Sequence, residues 1–218
     1  PYDKNYYPKP GYWKFEDVDK NNEITEEDRT VIGNANPKLY GGLTNTFTWK
    51  GFDLSVFLNF SIGNKIYSAN KMYYTKFNNR WRNTLKDEAM RRFTVMNDKG
   101  EYIFNDPVQL ASLNKGHDYA SVEGSSNLFF HSGYVEDGSF LKINNISLGY
   151  TLPKSLTSKI KLSNVRFYAT GYNLYTWTKY SGYDPEVNTY PNNGLTPGID
   201  WGAYPSAISL VFGANITF

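Results

Sequence analysis

The chain contains no cysteine. That excludes a disulfide framework and a thiolate metal site alike. Histidine is nearly absent too, with only His117 and His131. No triad, HExxH, P-loop or GxGxxG spacing accompanies them, so the chain is not expected to be an enzyme. No run of about 18 apolar residues exists, which excludes a transmembrane helix but not a membrane barrel. There is no polybasic run, and a net charge of +2 is too small to point to nucleic acid. No leader peptide is visible either. The chain opens with "PYDKNYYPKPGYWKFEDVDKNNEI", which reads as the middle of a loop, and a fragment of a longer protein is expected.

What the chain does have is aromatics. Tyr, Phe and Trp make up 17% of its 218 residues, with plentiful Gly and Asn. Such a composition favours β structure. Five segments alternate apolar with polar positions: 39–49, 52–62, 139–151, 164–176 and 206–218, the third and fourth less strictly. In the second, Phe52, Leu54, Val56, Leu58, Phe60 and Ile62 oppose Asp53, Ser55, Phe57, Asn59 and Ser61. In the last, Ile208, Leu210, Phe212, Ala214, Ile216 and Phe218 share a face. These segments exceed the usual strand of ~5–6 residues and suit a tilted strand crossing a bilayer, which needs ~9–11.

The connections alternate strictly between short and long. Lys50-Gly51 and "LPKSLTSKIKLS" (152–163) are short; 63–138 and 177–205 are long. Outer-membrane barrels show this alternation, with short periplasmic turns and long extracellular loops. By that parity, 1–38, 63–138 and 177–205 are extracellular and Phe218 ends in the periplasm. The expected fold class is all-β, an antiparallel transmembrane β-barrel. Five strands cannot close one, since at least ~8 are needed. Unpaired edges are not tolerated in lipid, so further strands must come from a larger parent or a second chain. The soluble alternative is a secreted β-sandwich that binds glycans. A connection of more than 70 residues counts against it, since ~4–6 is usual.

Four blocks resemble the end of SusC/RagA-type TonB-dependent outer-membrane transporters: "DRTVIGNANPKLYGGLTNTFTWKGFDLSVFLNFSIGNKIY", "VEDGSFLKINNISLGYTLPKSL", "NVRFYATGYNLYTWTKYSGYDPEV" and "GIDWGAYPSAISLVFGANITF". The resemblance implies the C-terminal segment of a 22-stranded, plugged barrel in a bacterial (Bacteroidota) outer membrane. It also implies oligosaccharide or peptide uptake, a SusD-like lipoprotein lid, and a TonB complex engaged through a plug that lies elsewhere. The remaining partners are the earlier strands, outer-membrane lipid and the glycan or peptide substrate. A structural barrel subunit is a further alternative. One departure stands out. The family usually has an Arg in a "YPxPR"-like run before the last strand, where this chain reads "YPSAIS", and no role is carried onto it. Gly213, Ile216 and Phe218 resemble the C-terminal assembly signal of bacterial barrels, with a terminal aromatic at the lipid interface.

The sharpest chemical motif is "DVDKNNEITEED" (17–28). Oxygen ligands at alternate positions can wrap a hard cation such as Ca²⁺. Asp17, Asp19, Asn21 and Glu23 take loop positions 1, 3, 5 and 7, Glu23 through its carbonyl, and Asp28 takes position 12. Asn22 stands where such loops have Gly, and Asp28 is short for bidentate reach. The alternative reading is an Asx-rich turn and a helical turn capped by Thr25. Two sets of loop aromatics are candidates for the ligand or the lid: Tyr74, Trp81 and Arg82, and Trp177, Tyr180 and Tyr183. The favoured alternative for both sets is packing within the loops or against neighbouring ones, and several of the second set also read as an outer aromatic girdle.

Overall fold

The computed structural model describes residues 9–78, 81, 83–126, 130–186, 189 and 195–218. Its chain divides into two compact units. One combines the residues up to Gly33 with Ser68–Val135; the other combines Asn34–Tyr67 with Glu136–Phe218.

The second unit is built on a five-stranded antiparallel sheet. Its strands are β1 (Leu39–Trp49), β2 (Phe52–Ile62), β5 (Phe140–Thr151), β6 (Asn164–Thr178) and β8 (Ser209–Thr217), in the order β1-β2-β5-β6-β8. Strands β3 (Lys65–Ser68), β4 (Val135–Asp137) and β7 (Ile199–Asp200) form a small sheet ordered β4-β3-β7. The large sheet is open: β1 and β8 are its margins, each with one ladder unpaired within the chain. β6 runs to Thr178, two residues past the alternating segment, and β8 starts only at Ser209. The β1–β2 turn needs two positive φ angles. Lys50 (46°) and Gly51 (87°) supply them, as a two-residue hairpin with right-twisted strands demands.

Register places the apolar set on one face throughout. Phe52 lies between Trp49 and Tyr150, Leu54 between Phe47 and Leu148, and Leu58 between Leu43 and Ile143. Phe167 pairs with Tyr150 and Ala214, and Ala169 with Leu148 and Phe212. Asn45, opposite Val56, is a polar interruption. The weak alternation of 139–151 has a structural cause. Ile143 and Asn145 face Leu58 and Phe57, which leaves Asn144 as a bulge residue. One extra residue reverses parity. The apolar positions are therefore odd before it (Leu141, Ile143) and even after it (Ile146, Leu148, Tyr150).

The apolar face is exposed. Leu43, Phe47, Trp49, Leu148, Phe167, Leu210, Phe212 and Ile216 all show much of their surface, Phe212 as much as 77%. Among the described residues nothing forms the second layer that a sandwich requires. No helix among them is long and apolar enough to cross a membrane.

The long connection 63–138 is not bare loop. Its residues Ser68–Val135, with the residues up to Gly33, make the first unit, which holds α1 (Ala69–Tyr74), α2 (Lys86–Met90) and α3 (Pro107–Leu113). Asp106 caps α3 by accepting from the Val108 and Gln109 amides, and Pro107 sits at the first helical position, where its missing N–H costs nothing. Met72, Ile103, Leu110, Ala120 and Tyr134 are buried in this unit. Trp13 lies 4.6 Å from the His131 ring, which lies 4.5 Å from Tyr134. Burial pushes the His131 imidazole down to about 4, so it is neutral in this stack at physiological pH.

Candidate functional site

Three features carry chemistry: the acidic loop of the first unit, the polar face of the large sheet, and the exposed loop aromatics.

In the acidic loop, Asp17, Asp19 and Asp28 each bring a carboxylate oxygen within 4.8 Å of the others. The Thr25 cap is what returns Asp28 to Asp17. The Thr25 hydroxyl accepts from the Glu27 amide at 3.2 Å, and Asp28 Oδ2 accepts from the Thr25 amide at 2.7 Å. Asp28 Oδ1 accepts from the Val18 amide at 2.8 Å. The cap and the carboxylate cluster therefore coexist. Asn22 is left-handed at φ 66°, so Asn serves where such loops usually place Gly. The Asn21 side-chain oxygen accepts from the Glu23 amide at 2.7 Å, and the Glu23 carboxylate is outside the cluster. Loss of water around Asp19, its hydrogen bond with Asp17 and the nearby charges of Asp28 and Asp17 raise its pKa. Donation by the Thr25 backbone amide lowers that of Asp28. One proton-hungry carboxylate beside one held ionised is a donor set that suits a hard divalent cation.

The polar face of the sheet carries two ion pairs that the alternation did not announce. Arg166 donates to Asp53 through Nε at 2.9 Å and Nη2 at 2.5 Å. Asp53 is on β2 and Arg166 on β6, so the pair reaches over β5. It passes above Gly149, where a Cβ would meet Asp53 Oδ1 at 2.5 Å and collide with the guanidinium. Lys142 of β5, only 3% exposed, donates to Glu186 Oε2 at 2.5 Å and to Ser206 Oγ at 3.4 Å. Asn59, directly opposite Lys142 on β2, donates to the other Glu186 oxygen at 2.9 Å. Asp184, also buried, accepts from the Ser206 amide at 3.0 Å. The segment after β6 is thus fastened across the polar face. Lys142 was detectable in principle: it stands between Leu141 and Ile143, alone among apolar neighbours on its strand.

The candidate aromatics are split between the units, Tyr74 and Trp81 in the first, Trp177, Tyr180 and Tyr183 in the second. Tyr74 makes an edge-on contact with Tyr73, and Trp81 is exposed. Arg82 lies outside the described residues. Trp177 is on the apolar face of β6, opposite Leu141 and 4.8 Å from Tyr175. Tyr180 is buried, its hydroxyl donating to Asp200 at 2.5 Å. Tyr183 is exposed. In β8, Gly213 lies opposite Tyr168, whose ring covers it; a Cβ there would meet that ring at 2.7 Å. Ile216 pairs with Val165 on the apolar face, and Phe218 is exposed.

No protein-family model matches the chain. The chain is similar to TonB-dependent receptor P3 of Formosa agariphila, with 31% identity over 96% of this chain and 19% of that receptor. It is similar also to TonB-dependent receptor SusC of Bacteroides thetaiotaomicron, 28% identical over the whole chain and 18% of that protein. The chain therefore spans about a fifth of the length of the curated relatives it matches. Among solved structures it is similar in fold to a chain of the RagAB peptide transporter. The TM-score is 0.67 at 23% identity, with 90% of this chain and 19% of that one covered.

Proposed function

This chain is a homologue of TonB-dependent receptors, SusC among them, over most of its length, and from that premise we propose that it supplies the C-terminal wall strands of a plugged outer-membrane barrel that imports nutrients. The observation that carries this reading is the in-register apolar face, exposed across all five strands, backed by a face of hydroxyls, amides and paired charges. A bilayer covers such a face, and strands from the rest of a 22-stranded barrel pair the margins of β1 and β8. The polar face then lines the lumen, where the partly exposed Asp53–Arg166 pair and Glu186 meet water and substrate while Lys142 stays enclosed beneath. The long connections stand outside the cell, where a SusD-like lipoprotein closes over them. Tyr74, Trp81, Arg82 and Tyr183 are the aromatic and basic groups offered there to an oligosaccharide or peptide. Energy comes from the TonB complex through a plug that is not in these residues.

Fractionation tests the reading. The protein containing this chain is expected in the outer-membrane fraction, released by detergent and not by high salt or carbonate. Recovery in the soluble fraction as a folded monomer would sink it.

The loop 17–28 is proposed to take Ca²⁺ through Asp17, Asp19 and Asp28, joined by backbone oxygens, and to stiffen the first unit. Removing one carboxylate weakens such sites steeply, so Asp19→Asn is expected to lower Ca²⁺ affinity about tenfold. Affinity should also fall as the pH drops, because Asp19 takes up a proton more readily than an isolated carboxylate. Calorimetric titration of the detergent-extracted protein checks both, and the absence of any binding heat in the parent protein removes the site.

A further inference from the structure

The short-turn end of the large sheet carries a charge pattern that the transport reading leaves unused. The two connections at this end, 50–51 and 152–163, contain Lys50, Lys154, Lys159 and Lys161 and no Asp or Glu. All four lysines are exposed. The nearest further cation, Arg166, is already held by Asp53 on the polar face. The backbone brings the two connections together: the Thr151 amide donates to the Gly51 carbonyl at 2.7 Å.

The longer connection is itself amphipathic. It holds the short helix α4 (Lys154–Thr157) and a 3-10 turn, Ser158–Ile160. Thr157, 1% exposed, pins it inward, while Leu156 and Ile160 stand 50% and 60% exposed beside the lysines. Apolar side chains with cations around them suit the boundary between acyl chains and headgroups, where lysine stems lie along hydrocarbon and the ammonium reaches phosphate. The adjoining rim of the apolar face is aromatic: Trp49, Phe52, Tyr150 and Phe167. Phe52 and Tyr150 stack at 4.4 Å, and Lys50 Nζ lies 5.0 Å from the Trp49 ring centre. Tyr and Trp concentrate at that depth of a bilayer. Two of the lysines occupy left-handed backbone, Lys50 at φ 46° and Lys161 at φ 57°. Gly or Asn would sit there at lower cost, so the lysine side chains serve something other than the turns.

We propose that this end of the sheet is a docking surface for anionic phospholipid headgroups, bound by Lys50, Lys154, Lys159 and Lys161 with Leu156 and Ile160 dipping below them. The inference rests on the reading of the apolar face as lipid-facing. The partner follows from charge complementarity, four unopposed cations, and from continuity with that face.

The test uses the intact detergent-extracted protein in phosphatidylethanolamine vesicles containing spin-labelled phosphatidylglycerol or spin-labelled phosphatidylcholine. The parent protein is expected to immobilise the anionic label about fivefold more than the zwitterionic one, the equivalent of about one lysine's worth of surface attraction, and to lose the preference in high salt. K50Q/K154Q/K159Q/K161Q is expected to bring the ratio near one. K154Q/K159Q, confined to the exposed turn, should fall between, which keeps the test open if the fourfold variant folds poorly. K99Q/K115Q, in the first unit, should leave the ratio unchanged. Insertion without any preference for the anionic label, or a preference that survives the fourfold change, overturns the docking surface and leaves the wall reading standing. Failure of the parent protein to insert at all overturns the wall reading, and the docking surface with it.

Discussion

Val56→Arg is expected to abolish most of the folded, membrane-inserted protein, whereas Ser55→Arg, one residue away, should be tolerated. Val56 lies midway along β2 on the apolar face, between Asn45 and Ile146. Ser55 is on the other face, between Thr46 and Ser147. If the apolar face meets lipid, an arginine near the bilayer midplane costs about 2–4 kcal/mol, while one on the lumen side changes mainly the lining. That is a large share of a typical folding free energy of ~5–15 kcal/mol. Outer-membrane yield and heat-modifiable gel mobility of the two variants read the difference. Equal losses at both positions would remove the assignment of faces.

A comparable effect is expected at Glu186. Lys142 is almost wholly enclosed, and Glu186 supplies its counter-charge while also receiving the Asn59 amide. Among the described residues, Glu186→Ala leaves the buried ammonium with Ser206 Oγ at 3.4 Å and the neighbouring charge of Asp184. Breaking a buried pair by removing one partner costs about 3–5 kcal/mol. Glu186 is itself 30% exposed, so the lower end, about 3 kcal/mol, is the expected loss. Lys142→Met combined with Glu186→Ala should recover part of it, because the enclosed ammonium is gone while buried Asp184 loses only the Lys142 charge and keeps its Ser206 and Glu186 amide donors. Denaturant unfolding of the refolded protein gives the cycle. Proteolysis after residue 178 should accelerate in the Glu186 variant alone. A Glu186→Ala variant as stable as the parent would show that the ion pair holds nothing.

Much of this fold could be read from alternation, and the exceptions have identifiable causes. β1 and β2 have bounds at 39–49 and 52–62 because their apolar and polar positions never change phase, and a Lys-Gly pair admits only a tight turn. β5 reads poorly because Asn144 reverses the phase halfway along, and pattern matching over a fixed window averages the two halves. β6 reads poorly for a related reason. Asn173 turns left-handed at φ 53°, and the pairing with β5 slips between Tyr172 and Tyr175. The carboxylate trio of the acidic loop was legible, since its members are close in sequence. The ion pairs of the polar face were not. Asp53 and Arg166 are 113 residues apart, and Lys142 and Glu186 are 44 apart, so only the folded register brings them together. Tyr180 shows why residue type alone does not place a side chain: the sequence admits both a ligand contact and loop packing, and only the fold shows its hydroxyl donating to Asp200.

The gap above Gly149 has a further consequence for assembly. A sheet that displaces one strand by two positions keeps every side chain on its proper side, so in-and-out patterning is blind to that error. The reach from Asp53 to Arg166 is not blind to it. It spans a strand with no side chain at the crossing point, and any other residue of β5 brought beneath it would wedge the two charges apart. The missing side chain thus works as a proofreading slot, admitting one alignment of three neighbouring strands among several that oil and water alone would accept.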